Sequence, residues 1–216
     1  AGLIYTPWMI SCIGTDAYGL YTLALSIIGF FLMDFGLSSA VSRFLSKYYA
    51  EGHDELVGSF LGIVYKSYLA IDAVIVVVLI TVYMNMGSLY SNMTDDQLET
   101  LRVLFLIVAL YSVFSFPFVT LNGILISNER FVALNICEFL QRVLNVSLII
   151  VMLLLGYGVY ALVFVNAISS LGFTLVKYII VRIKTNAKAD MRSWNRALLS
   201  EIVGFSAWTT LAQVSQ

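Results

Sequence analysis

Apolar residues fall into five runs of about twenty, at 20–37, 67–86, 103–125, 136–155 and 159–181. A hydrocarbon core of about 30 Å takes about twenty helical residues to cross, so each run predicts a transmembrane helix. Shorter apolar stretches lie at the two ends. The opening, 1–10, reads as the second half of a helix, and residues from about 198 read as the start of another. The expected fold is all-α, a polytopic transmembrane helix bundle. Residues 1–183 form its helical body with a truncated first helix. Residues 184–197 are expected to form a polar cytoplasmic linker between two halves of a larger transporter, and 198–216 to begin a seventh span.

Composition agrees with the pattern. Sixty per cent of the residues are hydrophobic and 12% are charged, against about 25% charged in a soluble domain. The net charge of −1 offers no basic field for nucleic acid. The first ten residues carry no basic group, so they are not a secretory leader. Cys12 and Cys137 sit in separate apolar segments and read as small buried hydrophobes rather than a disulfide.

Charge also orients the helices. Arg43, Lys47, Lys66, Arg130, Arg142, Lys177, Arg182, Lys184, Lys188, Arg192 and Arg196 assign to one side. Arg102 stands alone on the other, with Asp16, Asp95, Asp96 and Glu99. The basic side is expected in the cytoplasm. Gly156-Tyr157-Gly158 is then a minimal outer hairpin that makes the last two runs antiparallel neighbours. Residues 42–61 read as an amphipathic stretch on the inner membrane face.

Ionisable and amide groups inside the runs are the candidate chemistry, because they are costly there unless they face a cavity or a partner. Asp34 and Asp72 are either helix-packing residues or groups that titrate with a coupling ion, H+ or Na+. Glu138, Gln141, Arg142 and Asn145 recur at three and four residues and share a helical face, with Glu138 and Arg142 spaced for an ion pair. Their other reading is a solvated helix start. Asn166, Ser169, Ser170 and Lys177 form a second stripe. There Lys177 either faces a cavity or snorkels to the interface, and the small residues either line that cavity or allow close packing. Pro117 removes a hydrogen bond from its run and predicts a kink.

Several chemistries lack their residues. No G-x-x-x-x-G-K-[ST] run is present, and His53 is the only histidine, so no phosphate-binding loop and no histidine metal cluster is expected. Asn92-Met93-Thr94 fits the glycosylation triplet, but so does Asn145-Val146-Ser147 inside a span. No cofactor, no metal and no catalytic constellation is expected, which favours transport over an enzyme.

Three segments carry a resemblance. Ile13-Gly14-Thr15-Asp16-Ala17-Tyr18-Gly19-Leu20-Tyr21 resembles the LG-x-x-x-YGLY turn between the first two helices of bacterial polysaccharide flippases. Asp34-Phe35-Gly36-Leu37 with Ala40 and Arg43 resembles their DLGL-x-x-A-x-x-R motif. Phe116-Pro117-Phe118, Leu121-Asn122-Gly123 and Asn128-Glu129-Arg130-Phe131 resemble their fourth-helix exit. The family is the O-antigen and polysaccharide branch of the multidrug/oligosaccharidyl-lipid/polysaccharide exporter superfamily.

The resemblance implies one six-helix lobe of a two-lobe transporter in the cytoplasmic membrane. It also implies movement of an undecaprenyl-pyrophosphate-linked oligosaccharide between leaflets, with membrane lipid and other polysaccharide-assembly proteins as partners. Arg142, Lys66 and Lys177 are then candidates for the pyrophosphate, and Asn145, Asn166 and Ser170 for sugar hydroxyls. Asp34, Asp72 and Glu138 are candidates for ion coupling or for structure. The alternatives are a drug/cation antiporter or lipid II flippase of the same superfamily, a non-transporting membrane scaffold of a polysaccharide-synthesis complex, and a membrane-embedded glycosyl-transfer enzyme.

Overall fold

The computed structural model describes residues 2–31, 37–185, 187, 189–192, 198–200, 202, 204–205 and 208. Every regular element among them is helical. In order these are α1 (Gly2–Ile13), α2 (Thr15–Phe31), α3 (Leu37–Ala50), α4 (Asp54–Met84), the short α5 (Met86–Leu89), α6 (Asp95–Ser115), a 3-10 turn (Phe116–Val119), α7 (Thr120–Ser127), α8 (Phe131–Leu154) and α9 (Gly158–Lys184).

Among the described residues four segments are long and apolar enough to cross a membrane: Glu55–Met84, Asp95–Ser127, Phe131–Leu154 and Gly158–Lys184. Their exposed surface is itself apolar, as at Val74, Val77, Met84, Leu110 and Leu154, which is the surface a helix presents to lipid. Several hydroxyls in these helices bond back to their own backbone. Ser67 Oγ donates to the Ile63 carbonyl at 3.0 Å and Thr81 Oγ1 to the Val77 carbonyl at 2.8 Å. A spanning helix thereby satisfies its polar side chains without water.

Two boundaries differ from the hydrophobic pattern. The run 20–37 divides between α2 and α3, with 32–36 outside the described residues. The stretch 42–61 is no single surface helix. It comprises the end of α3, a turn at 51–53 and the start of α4. Phe44 and Tyr48, two aromatic residues of that stretch, are buried against Phe60, with ring centroids 5.5 and 5.8 Å away. α4 is correspondingly longer than its apolar run. Its 31 residues rise about 46 Å, more than a hydrocarbon core needs. Lys66, assigned by charge to the inner side, lies well inside it and is half-buried.

Helix ends follow their local chemistry. Thr94 and Gln97 make a reciprocal capping box at the start of α6. The Thr94 N–H donates to Gln97 Oε1 and the Gln97 N–H to Thr94 Oγ1, at 3.2 and 3.3 Å. Asp95 and Asp96 add negative charge to that first turn. α8 ends at Gly156, whose φ of +84° is open to glycine at little cost. There the Tyr157 N–H donates to the Met152 carbonyl and the Gly156 N–H to that of Leu153, closing the helix. Pro117 does interrupt its span, and the interruption takes the form of the 3-10 turn.

The chain clusters into two compact units. One comprises Ala1–Leu32, Val74–Phe114 and Phe139–Gly172, the other Met33–Ala73, Ser115–Glu138 and Phe173–Gln216. The first unit has a core of Ala24, Ile28, Leu104, Phe105, Val108 and Leu162. In the second, α3 packs along α7. A Cβ added at Gly123 would lie 2.7 Å from Val41 Cγ1 and 3.1 Å from the Ser38 carbonyl oxygen. Ten of the twelve basic residues belong to the second unit; only Arg102 and Arg142 belong to the first.

Candidate functional site

The hairpin around Gly156 sets α8 and α9 side by side, and nine residues back from its start an amide pair joins them. Asn145 Nδ2 donates to Asn166 Oδ1 at 2.7 Å. Asn166 Nδ2 donates in turn to the Tyr21 hydroxyl oxygen on α2 and to the Leu162 carbonyl, each at 2.7 Å. All three side chains are half-buried and belong to the first unit.

The hydrogen-bond inventory of this triad decides what remains for a ligand. Asn166 spends its oxygen and both amide protons. Tyr21 accepts, so its own proton is left to donate. Asn145 Oδ1 is buried and has no hydrogen-bond partner. An amide oxygen in that position costs free energy until a hydroxyl, an amide or water reaches it. The triad thus offers an acceptor at Asn145 Oδ1, the second amide proton of Asn145 and the hydroxyl proton of Tyr21. Asn166 is the residue that holds them. Ser169 Oγ, on α9, is likewise buried without a partner, and Ser170 is half-buried.

Arg142 stands one turn from Asn145 on the same helix face. It is exposed, and no ion pair to it occurs among the described residues. It lies at the middle of α8, about 17 Å of helical rise from one end and about 18 Å from the other. The spacing with Glu138 predicts an ion pair within α8, and the structure pairs Glu138 otherwise.

That second cluster belongs to the second unit. Lys177 Nζ donates to Asn122 Oδ1 on α7 at 3.0 Å and lies 3.6 Å from Glu138 Oε1 on α8. The Lys177 side chain keeps only 13% of its exposure, against 39% for Glu138. A basic side chain this enclosed is stable because an anion and an amide meet it. Lys177 therefore neither snorkels nor presents an unpaired charge; it ties α7, α8 and α9 together. Helical spacing on α8 and α9 could not reveal this pairing, which depends on which helices pack.

Asp72, on α4, is 9% exposed, and its Oδ1 has no hydrogen-bond partner. Asp34 lies outside the described residues. No group of three or more His, Cys, Asp or Glu able to hold a metal occurs among the described residues. Two participants escape a reading by charge and periodicity, Tyr21 and Asn122. Both stand in the segments that carry the flippase resemblance, and that was the available signal.

Comparison with known proteins adds the lineage. The profile of the family described as "Polysaccharide biosynthesis protein" matches residues 1–216. Among curated protein sequences none matches. Two solved structures share the fold: the crystal structure of MATE in complex with MaD3S, at TM-score 0.72 and 18% identity, and that of MATE in complex with MaL6, at TM-score 0.66 and 20% identity. Each alignment covers 98% of this chain, and 49% and 48% of the matched chains. The chain thus spans about half the length of the structures it resembles.

Proposed function

The chain belongs to the polysaccharide biosynthesis protein family, and from that premise we propose that it forms one lobe of a membrane flippase. The substrate proposed is an undecaprenyl-pyrophosphate-linked oligosaccharide, moved across the cytoplasmic membrane for surface polysaccharide synthesis. The observation that carries the reading is Arg142, exposed at the middle of an apolar helix.

A cation at that depth facing hydrocarbon is strongly unfavourable, and its side chain is too far from either interface to escape. An aqueous cavity removes the penalty. The same face then offers the acceptor oxygen of Asn145 and, through the triad, the donor of Tyr21. A guanidinium binds phosphate oxygens in a two-pronged geometry, while amide and phenol groups suit sugar hydroxyls. Such a surface replaces the water that a sugar headgroup loses when it leaves the aqueous phase. The lipid tail stays in the bilayer throughout. Alternating exposure of the cavity requires a second lobe, in keeping with the half-length coverage of the MATE structures.

Asp72 is the candidate for coupling. A buried carboxylate with an unfilled oxygen is costly when charged, so binding a proton or sodium ion changes the stability of the state that buries it. Lys177 is proposed as a structural cross-link, not as a phosphate ligand.

The test uses the natural protein that carries this chain, in a strain lacking it. Arg142→Gln should reduce lipid-linked oligosaccharide transfer about tenfold or more, the loss of a hydrogen bond to a charged group being worth about 1.5–3 kcal/mol. Arg142→Lys should recover only part of the rate, because an ammonium lacks the fork. Wild-type surface polysaccharide from Arg142→Gln at normal protein level would remove the cavity reading.

A further inference from the structure

A cavity of about 440 Å³ opens in the second unit, among α4, α7, α9 and the residues just after α9. That volume is within the range of small-molecule sites, about 300–1,000 Å³. Its inner wall is apolar, with Leu61, Leu121 and Ile124 almost fully buried. Its rim carries Tyr65, Tyr178 and Arg182. The Arg182 guanidinium stands 5.8 Å above the Tyr178 ring, which orients its fork. Ala187 and Ala189 close one side, and the Asp190 N–H holds that segment to α4 by donating to the Gly58 carbonyl at 2.9 Å. The nearby Asp190 carboxylate accepts the Arg192 N–H. Among the described residues no carboxylate lines the cavity, so none of them answers the Arg182 charge from within it.

We propose that this cavity binds the headgroup of an anionic bilayer phospholipid, with the phosphodiester on Arg182 and the upper glycerol and acyl carbons against the apolar wall. Three features select that ligand. Arg182 is in the last turn of α9, at the basic end of a spanning helix. Basic pockets between helices at that level suit anionic lipid headgroups. The two tyrosines are amphipathic rings of the kind found at the membrane interface. One guanidinium matches the single negative charge of a phosphodiester, whereas a pyrophosphate would carry more charge than the cavity answers. The site is separate from Arg142 and the amide triad, and it does not depend on the transport reading.

The experiment measures binding alone, on the purified natural protein in detergent. It is titrated with short-chain phosphatidylglycerol and with short-chain phosphatidylcholine, and bound lipid is counted by native mass spectrometry. Both lipids carry the phosphodiester, but only phosphatidylcholine brings a second cation beside the Arg182 guanidinium, so wild type should hold phosphatidylglycerol about tenfold more tightly than the zwitterionic lipid. Arg182→Gln, at an exposed position, should erase that preference. Ala187→Trp keeps the charge, fills the cavity and should weaken both lipids. Equal affinity of wild type for the two lipids overturns the proposal, as does an Arg182→Gln protein that binds phosphatidylglycerol as tightly as wild type. Displacement of phosphatidylglycerol by inorganic pyrophosphate, lost in Arg182→Gln, also overturns it and reassigns the cavity to a diphosphate headgroup.

Discussion

At Asn166 one side chain makes three hydrogen bonds, and each of its neighbours makes one to it. This asymmetry predicts an order of effects. Side-chain hydrogen bonds within membranes average about 0.6 kcal/mol and reach about 1.7 kcal/mol. Asn166→Leu breaks the bonds to Asn145 and Tyr21 together and should destabilise by about 1–2 kcal/mol on that scale. Tyr21→Phe breaks one and should cost no more than about 1 kcal/mol. Reversible unfolding in mixed micelles measures both. If Tyr21→Phe proved the costlier change, the three residues would not be acting as one network centred on Asn166. Asn145→Asp is a complementary probe of chemistry. It keeps the acceptor oxygen but loses the donor, so the bond to Asn166 Oδ1 becomes a repulsion between oxygens unless the acid is protonated.

Between elements, α3 and α7 approach closely in the second unit at Gly123. An alanine there would put its Cβ 2.7 Å from a Val41 methyl carbon, and Val41 is fully buried with no room to yield. Gly123→Ala should therefore cost about 1–3 kcal/mol through overpacking, and Gly123→Val more. Val41→Ala should relieve part of the strain in a Gly123→Ala background, because the clash is with its side chain, although the Ser38 carbonyl at 3.1 Å remains. Additive losses in that double variant would show that the two positions do not touch. The same pair shows what was legible in the sequence. That four of the five runs lie in helices long enough to cross a membrane followed from apolar run length, since nothing else satisfies a backbone in lipid. The hairpin followed from two glycines with three residues between helices. The pairing of Lys177 with Glu138 and Asn122 did not follow, because periodicity reports which residues share a face of one helix and not which helix stands opposite. The burial of Phe44 and Tyr48 was missed for the same reason. An amphipathic helix facing a membrane surface and one whose aromatic face meets α4 have one and the same pattern.

For the whole molecule the strongest claim open to experiment is orientation. The inner-side count of eleven basic residues included Lys66, Arg142 and Lys177, which the structure places inside α4, α8 and α9. Residues inside spans do not vote in the charge rule, which counts loops and helix ends. Removing them leaves eight basic residues against Arg102 alone, and the bias survives. The segment 85–94 between α4 and α6 is on the basic-poor side, and the segment after α9 is on the basic side. Ser91 and Met191 are both exposed and sample these two segments. Single cysteines at these positions, in a background carrying Cys12→Ala and Cys137→Ala, should react from opposite sides. On intact cells stripped of any outer barrier, an impermeant thiol reagent should label position 91 and spare 191 until the membrane is opened. Substituting Met191 leaves every charge in place, so the reporter does not disturb the rule under test. Labelling of 191 alone would invert the topology, and with it the leaflet assigned to the Arg182 cavity. Labelling of both in intact cells would mean that an even number of crossings separates them instead of the three drawn, and the division of 95–127 into α6, a 3-10 turn and α7 would then need to be read as two segments instead of one span.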